Sequence, residues 1–472
     1  MLNISEKLTN SQFISIIKLA GKVGFDMGIK TYIVGGYLRD IILERELTDI
    51  DIMVEDNVID FSNNLAKELG VNKTIIFEKF HTVKIPFKDC EIEVANARKE
   101  TYDSQSRKPS TVEKTTVEED LVRRDFTINA LAASITPDDF GNLIDTFNGL
   151  IDLNNKIINT PTDPDITFID DPLRMLRAIR FAAQLKFEIH PRIKDSIAKN
   201  KDRISIVSQE RVTAELIKIL KADTPSISFY LLKELDFLKL VFPELDIMSG
   251  VDIIDNKGHK DVFIHTLEVV DNAAKLSNKM EIRFAALVHD IAKPATKRFN
   301  TKKGWTFHGH EEIGKRMLLK IAKRMKISNE LRDYLMILTK LHLRPIALAK
   351  KEISDSAVRR VMYEAGDHID DLMKLCRADI TTKNPIKINK YMGNFERVEI
   401  LMQDVKMKDE MKSFQSPVDG AKIMEVCSLK EGKVVGEIKK SIEDAILDET
   451  IPNTYEDAFN YMLKIKDNFI KN

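Results

Sequence analysis

Between Thr31 and Val54 the chain reads TYIVGGYLRDIILERELTDIDIMV, and the reading of this stretch decides the fold of the N-terminal region. A short β-rich run, Thr31 to Val34, meets Gly35 and Gly36 and then an apolar-periodic helix start, which predicts strand, turn and helix. LTDIDIMV then alternates Leu47, Asp49, Asp51 and Met53 on one face with Thr48, Ile50, Ile52 and Val54 on the other, the two-residue period of a strand. Asp49 and Asp51 therefore share a face and can aim two carboxylates at the same divalent ions, for which oxygen ligands suit Mg2+. A lone pair of this kind also fits a solvated strand end. The glycines add weight, because a glycine turn at a helix N-terminus lets backbone amides approach phosphate. Arg39 adds fixed charge that Asp40 can orient.

Working outward, Phe13, Ile16, Ile17, Ala20 and Val23 mark an amphipathic helix expected to end near Gly21, Gly24 and Gly28. Further β-rich runs at Thr74 to Phe77, Thr82 to Phe87 and Glu91 to Ala95 predict an α+β domain around a mixed sheet, with Glu93 as a third candidate catalytic carboxylate. From Pro172 onward helical periods dominate, as in Leu173, Leu176, Arg177, Arg180 and Phe181. Polar breaks near Gly250 to Gly258 and Thr381 to Asn384 complete a division into 1–150, 151–250, 251–384 and 385–472. The 73 Lys and Arg against 74 Asp and Glu exclude a polycation, so any nucleic-acid surface is local. Three isolated cysteines build neither a disulfide framework nor a metal knuckle, and no apolar run is long enough to span a membrane. The first residues, MLNISEKLTNSQF, lack the features of a signal peptide, so a cytoplasmic location is expected.

GGYLRD, then DID on a strand, then RRDFTINAL over Arg123 to Leu131, resembles the class II nucleotidyltransferases, the family of CCA-adding enzymes and bacterial poly(A) polymerases. The resemblance implies an α+β nucleotidyltransferase palm followed by a mostly α-helical neck, an HD domain and a tail. It implies that Asp49 and Asp51 bind the catalytic metals, and that Arg123, Arg124, Asp125 and Asn129 hold the incoming triphosphate and its ribose. FIDDPLRMLRAIRFAAQL, Phe168 to Leu185, is similar to the family's neck motif, in which an acidic residue and an arginine three positions on read the incoming base; here these are Asp171 and Arg174. At that spacing they are expected on one helix face, an acceptor beside a donor fork. Arg177 and Arg180 on the same helix join the nucleotide-binding candidates. Asp170 and Pro172 stand where CCA-adding members carry Glu or Ala, departures that leave the pair intact. SQERVTAEL, Ser208 to Leu216, is assigned to capping and packing, and the polar segment Arg98 to Glu118, with Arg107 and Lys108, to the family's flexible loop or a solvated linker.

Seven of the nine histidines fall between His259 and His368. His265, the adjacent His289 and Asp290, and Asp379 resemble HD-domain phosphohydrolases, with His310 and His342 as further ligands, and suit a transition metal or Mg2+. Packed or solvated histidines on a helical scaffold are the alternative. In the tail, Lys439 and Lys440 are placed to contact tRNA phosphates or simply to face water. The expected activity is template-independent addition of C, C and A to the 3′ end of tRNA from CTP and ATP. The rivals are a poly(A) polymerase, an A-adding enzyme, and an HD phosphohydrolase with an RNA-binding module.

Overall fold

The strand expected at Thr31 to Val34 (β1) is followed by β2 (Ile50–Val54), β3 (Ile75–Phe77), β4 (Thr82–Phe87), β5 (Cys90–Asn96), β6 (Arg98–Tyr102), β7 (Pro109–Lys114), β8 (Ala132–Ser134) and β9 (Leu143–Ile144) in this computed structural model. It describes residues 2–78, 81–88, 90–102, 109–255, 257–349, 354–413, 416–447 and 450–470. Seven strands form one mixed sheet in the order β3-β4-β5-β2-β1-β8-β9. β2 runs parallel to β5 and antiparallel to β1, and its register sets Asp51 opposite Glu93. Ile50, Ile52, Met53 and Val54 are buried, as a central strand covered on both faces requires, while Asp51 is half-buried at the strand's open end. β6 and β7 pair as a separate antiparallel ribbon, so the presumed linker is largely strand; Arg107 and Lys108 lie outside the described residues.

The first amphipathic helix ends among its glycines, as expected. It runs through Gly21 and Gly24 to Asp26, and Gly28, at φ +70°, follows it. The two internal glycines serve packing. A Cβ on Gly21 would stand 1.8 Å from the Ile135 carbonyl oxygen, and one on Gly24 would stand 2.0 Å from the Thr31 hydroxyl. Each lets the helix lie closer to the sheet than any other residue would allow.

Two compact units emerge, one from Met1–Leu343 with Asp367–Ile388, the other from Arg344–Gly366 with Asn389–Asn472. The ranges expected for head, neck and HD domain share the first unit, except that Arg344–Gly366 leaves the HD range for the tail unit. Within the first unit the neck supplies helices Pro164–Asp170, Leu173–Leu185 and Gln209–Leu220, and the histidine-rich region supplies Val262–Leu276, Met280–Val288, His310–Met325, Asn329–Leu341 and Ile369–Ala378. In the tail unit, Gly420–Cys427, Lys433–Leu447 and Tyr455–Ile465 close over Val418, Ile423, Ile438, Ile442, Ala458 and Met462. Lys439 lies 3.9 Å from Glu443, and Lys440 is exposed. Among the described residues no helix is long and apolar enough to cross a membrane.

Candidate functional site

Gly35 opens the helix Gly35–Ile42 at φ +67°, a left-handed value that disfavours any side chain. Its missing Cβ matters sterically as well, because that atom would lie 3.0 Å from Arg124 Nη1 and 3.5 Å from Asp51 Oδ2. The turn thus lets a guanidinium and a catalytic-type carboxylate close on the backbone. Gly36 is less constrained, since a Cβ there would make only ordinary contact with Arg39.

Asp49 lies one residue before β2 and is exposed, with Oδ1 accepting from the Glu91 amide at 3.4 Å. Burial, and after it the Glu93 carboxylate on the neighbouring strand, push the Asp51 carboxyl up to about 6, against the pull of Arg124. Glu93 also has Lys84 Nζ at 3.6 Å, a cation the sequence did not single out. The three carboxylates are a donor set that suits a hard divalent cation, and one there would relieve the repulsion that raises Asp51. They do not close into a set with all ligand atoms within 4.8 Å, which among the described residues occurs only in the histidine cluster.

A cavity of about 680 Å³ joins the head to the neck, with Asp51, Glu93, Arg123, Arg124, Asp125, Asp171, Arg174 and Arg177 all on its wall. Asp120, fully buried, receives Arg123 at 2.5 Å and Arg124 at 3.1 Å and so fixes both guanidinium groups. A continuous polar chain then runs from the glycine turn to the neck. Arg39 clamps Asp40 through Nε and Nη2 at 3.0 and 2.7 Å and donates to Asn129 Oδ1 at 2.8 Å. The Asn129 amide donates to Asp125 Oδ1 at 3.1 Å, and Arg177 Nε donates to Asp125 Oδ2 at 2.7 Å. Burial alone would raise the Asp125 carboxyl, but Arg177 and the Asn129 hydrogen bond outweigh it and hold the group at about 2.

The neck pair is arranged differently from the expected helix face. Asp171 sits in an extended break between two helices, at φ −139°, where its Oδ1 accepts from the Leu173 amide at 3.1 Å. Arg174 stands inside the following helix and donates to the Arg123 carbonyl at 2.6 Å. Pro172 explains the break, since the residue before a proline is driven from helical to extended backbone. Both side chains still reach the same cavity. Arg180 does not line it: the residue is buried, paired with Glu215 at 3.0 Å and lying 4.2 Å over the Phe181 ring, so it ties two neck helices together. Conversely Arg211, which the sequence left among packing residues, lines the cavity and pairs with Asp171 Oδ2 at 3.0 Å. Its basic character within SQERVTAEL was the only available signal.

The histidines converge in the same unit. His265 lies on Val262–Leu276, His289 ends Met280–Val288, His310 begins His310–Met325, His342 ends Asn329–Leu341 and Asp379 ends Ile369–Ala378. Three of the six groups are thus at helix C-termini, whose partial negative charge favours a cation. His265 Nε2 is 3.0 Å from Asp379, His289 Nε2 is 3.1 Å from Asp290, and His310 Nε2 is 3.2 Å from Asp290. The Nδ1 atoms of His289, His310 and His342 each lie 2.7 Å from a backbone carbonyl, which can only accept, so Nδ1 carries a proton and Nε2 is the atom turned inward. Burial drives the His342 imidazole down to about 4. His289 Nε2 and Asp290 Oδ1 are buried without a hydrogen-bond partner, as unfilled metal ligands would be.

Three family models match the chain: "Poly A polymerase head domain" over residues 31–159, "Probable RNA and SrmB- binding site of polymerase A" over 186–248, and "HD domain" over 262–380. A multifunctional CCA protein of Pseudoalteromonas atlantica is 33% identical, covering 74% of this chain and 85% of that protein. An A-adding tRNA nucleotidyltransferase of Aquifex aeolicus is 45% identical over a shorter stretch, 34% of this chain and 19% of that protein. A solved tRNA nucleotidyltransferase, complexed with a primer tRNA and an incoming ATP analogue, shares 26% identity at a TM-score of 0.58 and covers 81% of this chain and 99% of its own.

Proposed function

The chain belongs to the family of the multifunctional CCA proteins, and from that premise we propose that it adds C, C and A to the 3′ end of tRNA, without a template, from CTP and ATP. The observation that carries this reading is the single cavity in which the head's carboxylates, the paired arginines and the neck's Asp171 and Arg174 meet. Asp49, Asp51 and Glu93 are the groups that would hold Mg2+, which when bound supplies charge neutralisation at the triphosphate and a more nucleophilic 3′ hydroxyl. Arg123 and Arg124, locked by Asp120, and Arg177, locked by Asp125, face the phosphates with their geometry already set. Such preorganisation is most of what phosphoryl transfer asks of a protein. Gly35 and Gly36 offer backbone amides, and Asn129 holds the Arg39 and Asp125 side chains that frame the ribose side.

Base choice follows from donor and acceptor order. Cytosine and adenine present an exocyclic amino donor beside an unprotonated ring nitrogen, whereas uracil and guanine present a carbonyl beside an N–H. The Asp171 carboxylate accepts from the amino group, and the Arg174 guanidinium donates to the ring nitrogen. Arg211, 3.0 Å from Asp171 Oδ2, holds that carboxylate in place for the role. Supplying CTP alone, ATP alone or both to tRNA lacking its last three nucleotides is the test. We expect two C residues from CTP alone and full repair from both; A addition only to ends already carrying CC would instead make it an A-adding enzyme.

A second reading attaches to the histidine cluster. Four imidazoles and two carboxylates around a cation-sized space suit a metal-activated water directed at a phosphoester, so we also propose phosphohydrolase activity on RNA-terminal or 2′,3′-cyclic phosphates. A cytoplasmic site of action fits both readings.

A further inference from the structure

Half-buried aromatic rings crowd together at one edge of the histidine cluster. Trp305, the chain's single tryptophan, lies with Phe299 on a hairpin in which Arg298–Asn300 pairs with Gly304–Thr306; the two residues are direct cross-strand partners, their ring centres 5.3 Å apart. His259 stands edge-on to Trp305 at 5.4 Å and to Phe307 at 5.8 Å. Its own ring is tied at both ends, with Nδ1 2.7 Å from the Lys260 carbonyl and Nε2 accepting from the Asp252 amide at 3.2 Å. The imidazole is therefore a fixed spacer between the other two rings. Rings that serve only to fold are sheltered, as Phe229, Phe237, Phe242 and Phe284 are in the neighbouring helices, whereas Phe299, Trp305 and Phe307 keep part of their surface in water.

Charge sets these rings apart as well. Lys293 Nζ lies 5.8 Å from the centre of the Phe307 ring and 2.5 Å from Asp290 Oδ2, so one ammonium group separates the ring from the cluster. Lys297 Nζ lies 5.4 Å from the Trp305 ring and pairs with Asp252. Arg298, Lys302 and Lys303 on the same hairpin are exposed. In a chain whose charges otherwise cancel, this is a local basic surface set with aromatic rings, the composition that takes single-stranded nucleic acid.

We propose that Trp305 and Phe307 stack the terminal base of a single-stranded RNA whose end phosphate lies at the histidine cluster, with Lys293 between the two. The spacing suits one nucleotide, whose base and phosphate stand about a ribose apart. Every base has a π face, so the platform accepts any of the four and prefers nucleotide ends over small base-free phosphoesters. The inference rests on the phosphohydrolase reading only for what happens to that phosphate; the binding of the base is a separate matter.

Trp305 is its own reporter. The full chain, with EDTA present so that nothing is hydrolysed, is titrated with a short oligoadenylate ending in a 3′-phosphate, and tryptophan emission is followed; binding of the labelled strand is followed in parallel by anisotropy. The expected result is saturable quenching, with about 5- to 100-fold weaker binding by this signal for the same strand with an abasic terminal nucleotide. Phe307→Ala should weaken it over the same range and Phe307→Tyr should restore it. Absence of quenching, whether or not the strand binds elsewhere on the chain, overturns the proposal, and so does equal quenching by the two strands. That comparison is made on the unaltered chain and decides the matter even if a variant fails to fold. Phosphate release by the metal-loaded chain is scored separately: quenching without release keeps the platform and sinks the phosphohydrolase reading, whereas release without quenching keeps that reading and overturns the platform.

Discussion

At the scale of single residues, Asp125 shows how one group serves both folding and the site. Its carboxyl is held at about 2, against about 3.9 in an unfolded chain, so it contributes stability above the unfolded value that is lost as pH falls through the folded one. The difference amounts to a few kcal/mol at neutral pH. Asp125→Asn should therefore lower the urea midpoint clearly at pH 7, and the gap from the unaltered chain should narrow between pH 5 and 2. A gap that stays constant across that range would place the stabilisation elsewhere. The same residue takes two hydrogen bonds from separate elements, Asn129 and Arg177, so its loss also frees a guanidinium on the cavity wall.

Among the elements, the most telling contact is the first long helix on the sheet. Gly24→Val should cost about 1–3 kcal/mol or more, because the new side chain must displace the Thr31 hydroxyl and with it the start of β1. Thermal melting is the check, and an unchanged midpoint would mean that the helix can slide away freely. Here the limits of reading a sequence become physical. β1, β2, β4 and β5 were legible because alternation and β-branched residues report burial directly, and Asp51 opposite Glu93 follows once those strands are paired. Gly21, Gly24 and Gly28 marked the neighbourhood of the helix end, but the contacts of Gly21 with Ile135 and of Gly24 with Thr31 are ones no local pattern records. Arg180 and Arg211 were exchanged in role for a similar reason. Both are arginines on neck helices, and only the tertiary partners, Glu215 for one and Asp171 for the other, separate a brace from a cavity wall. Asp171 left the helix face because Pro172 overrides the i, i+3 rule.

For the molecule as a whole, two candidate centres lie on one chain. The transferase groups are in the sheet and neck, and the histidine cluster is built from five later helices and Asp290. Asp49→Asn should abolish nucleotide addition to tRNA while leaving phosphatase activity on a generic phosphoester within about twofold; loss of both in a folded variant would show that the centres share machinery. Both activities would then be separable by mutation although they reside on one polypeptide. Separation by cutting is another matter. The chain passes between its two compact units three times, at residues 343/344, 366/367 and 388/389. A stop codon near 388 therefore does not trim a terminal module: it strands Arg344–Gly366, whose Val358 and Val361 are buried, without the rest of its unit. The tail is accordingly an interleaved part of the protein, and its removal leaves an internal segment without the residues it packs with.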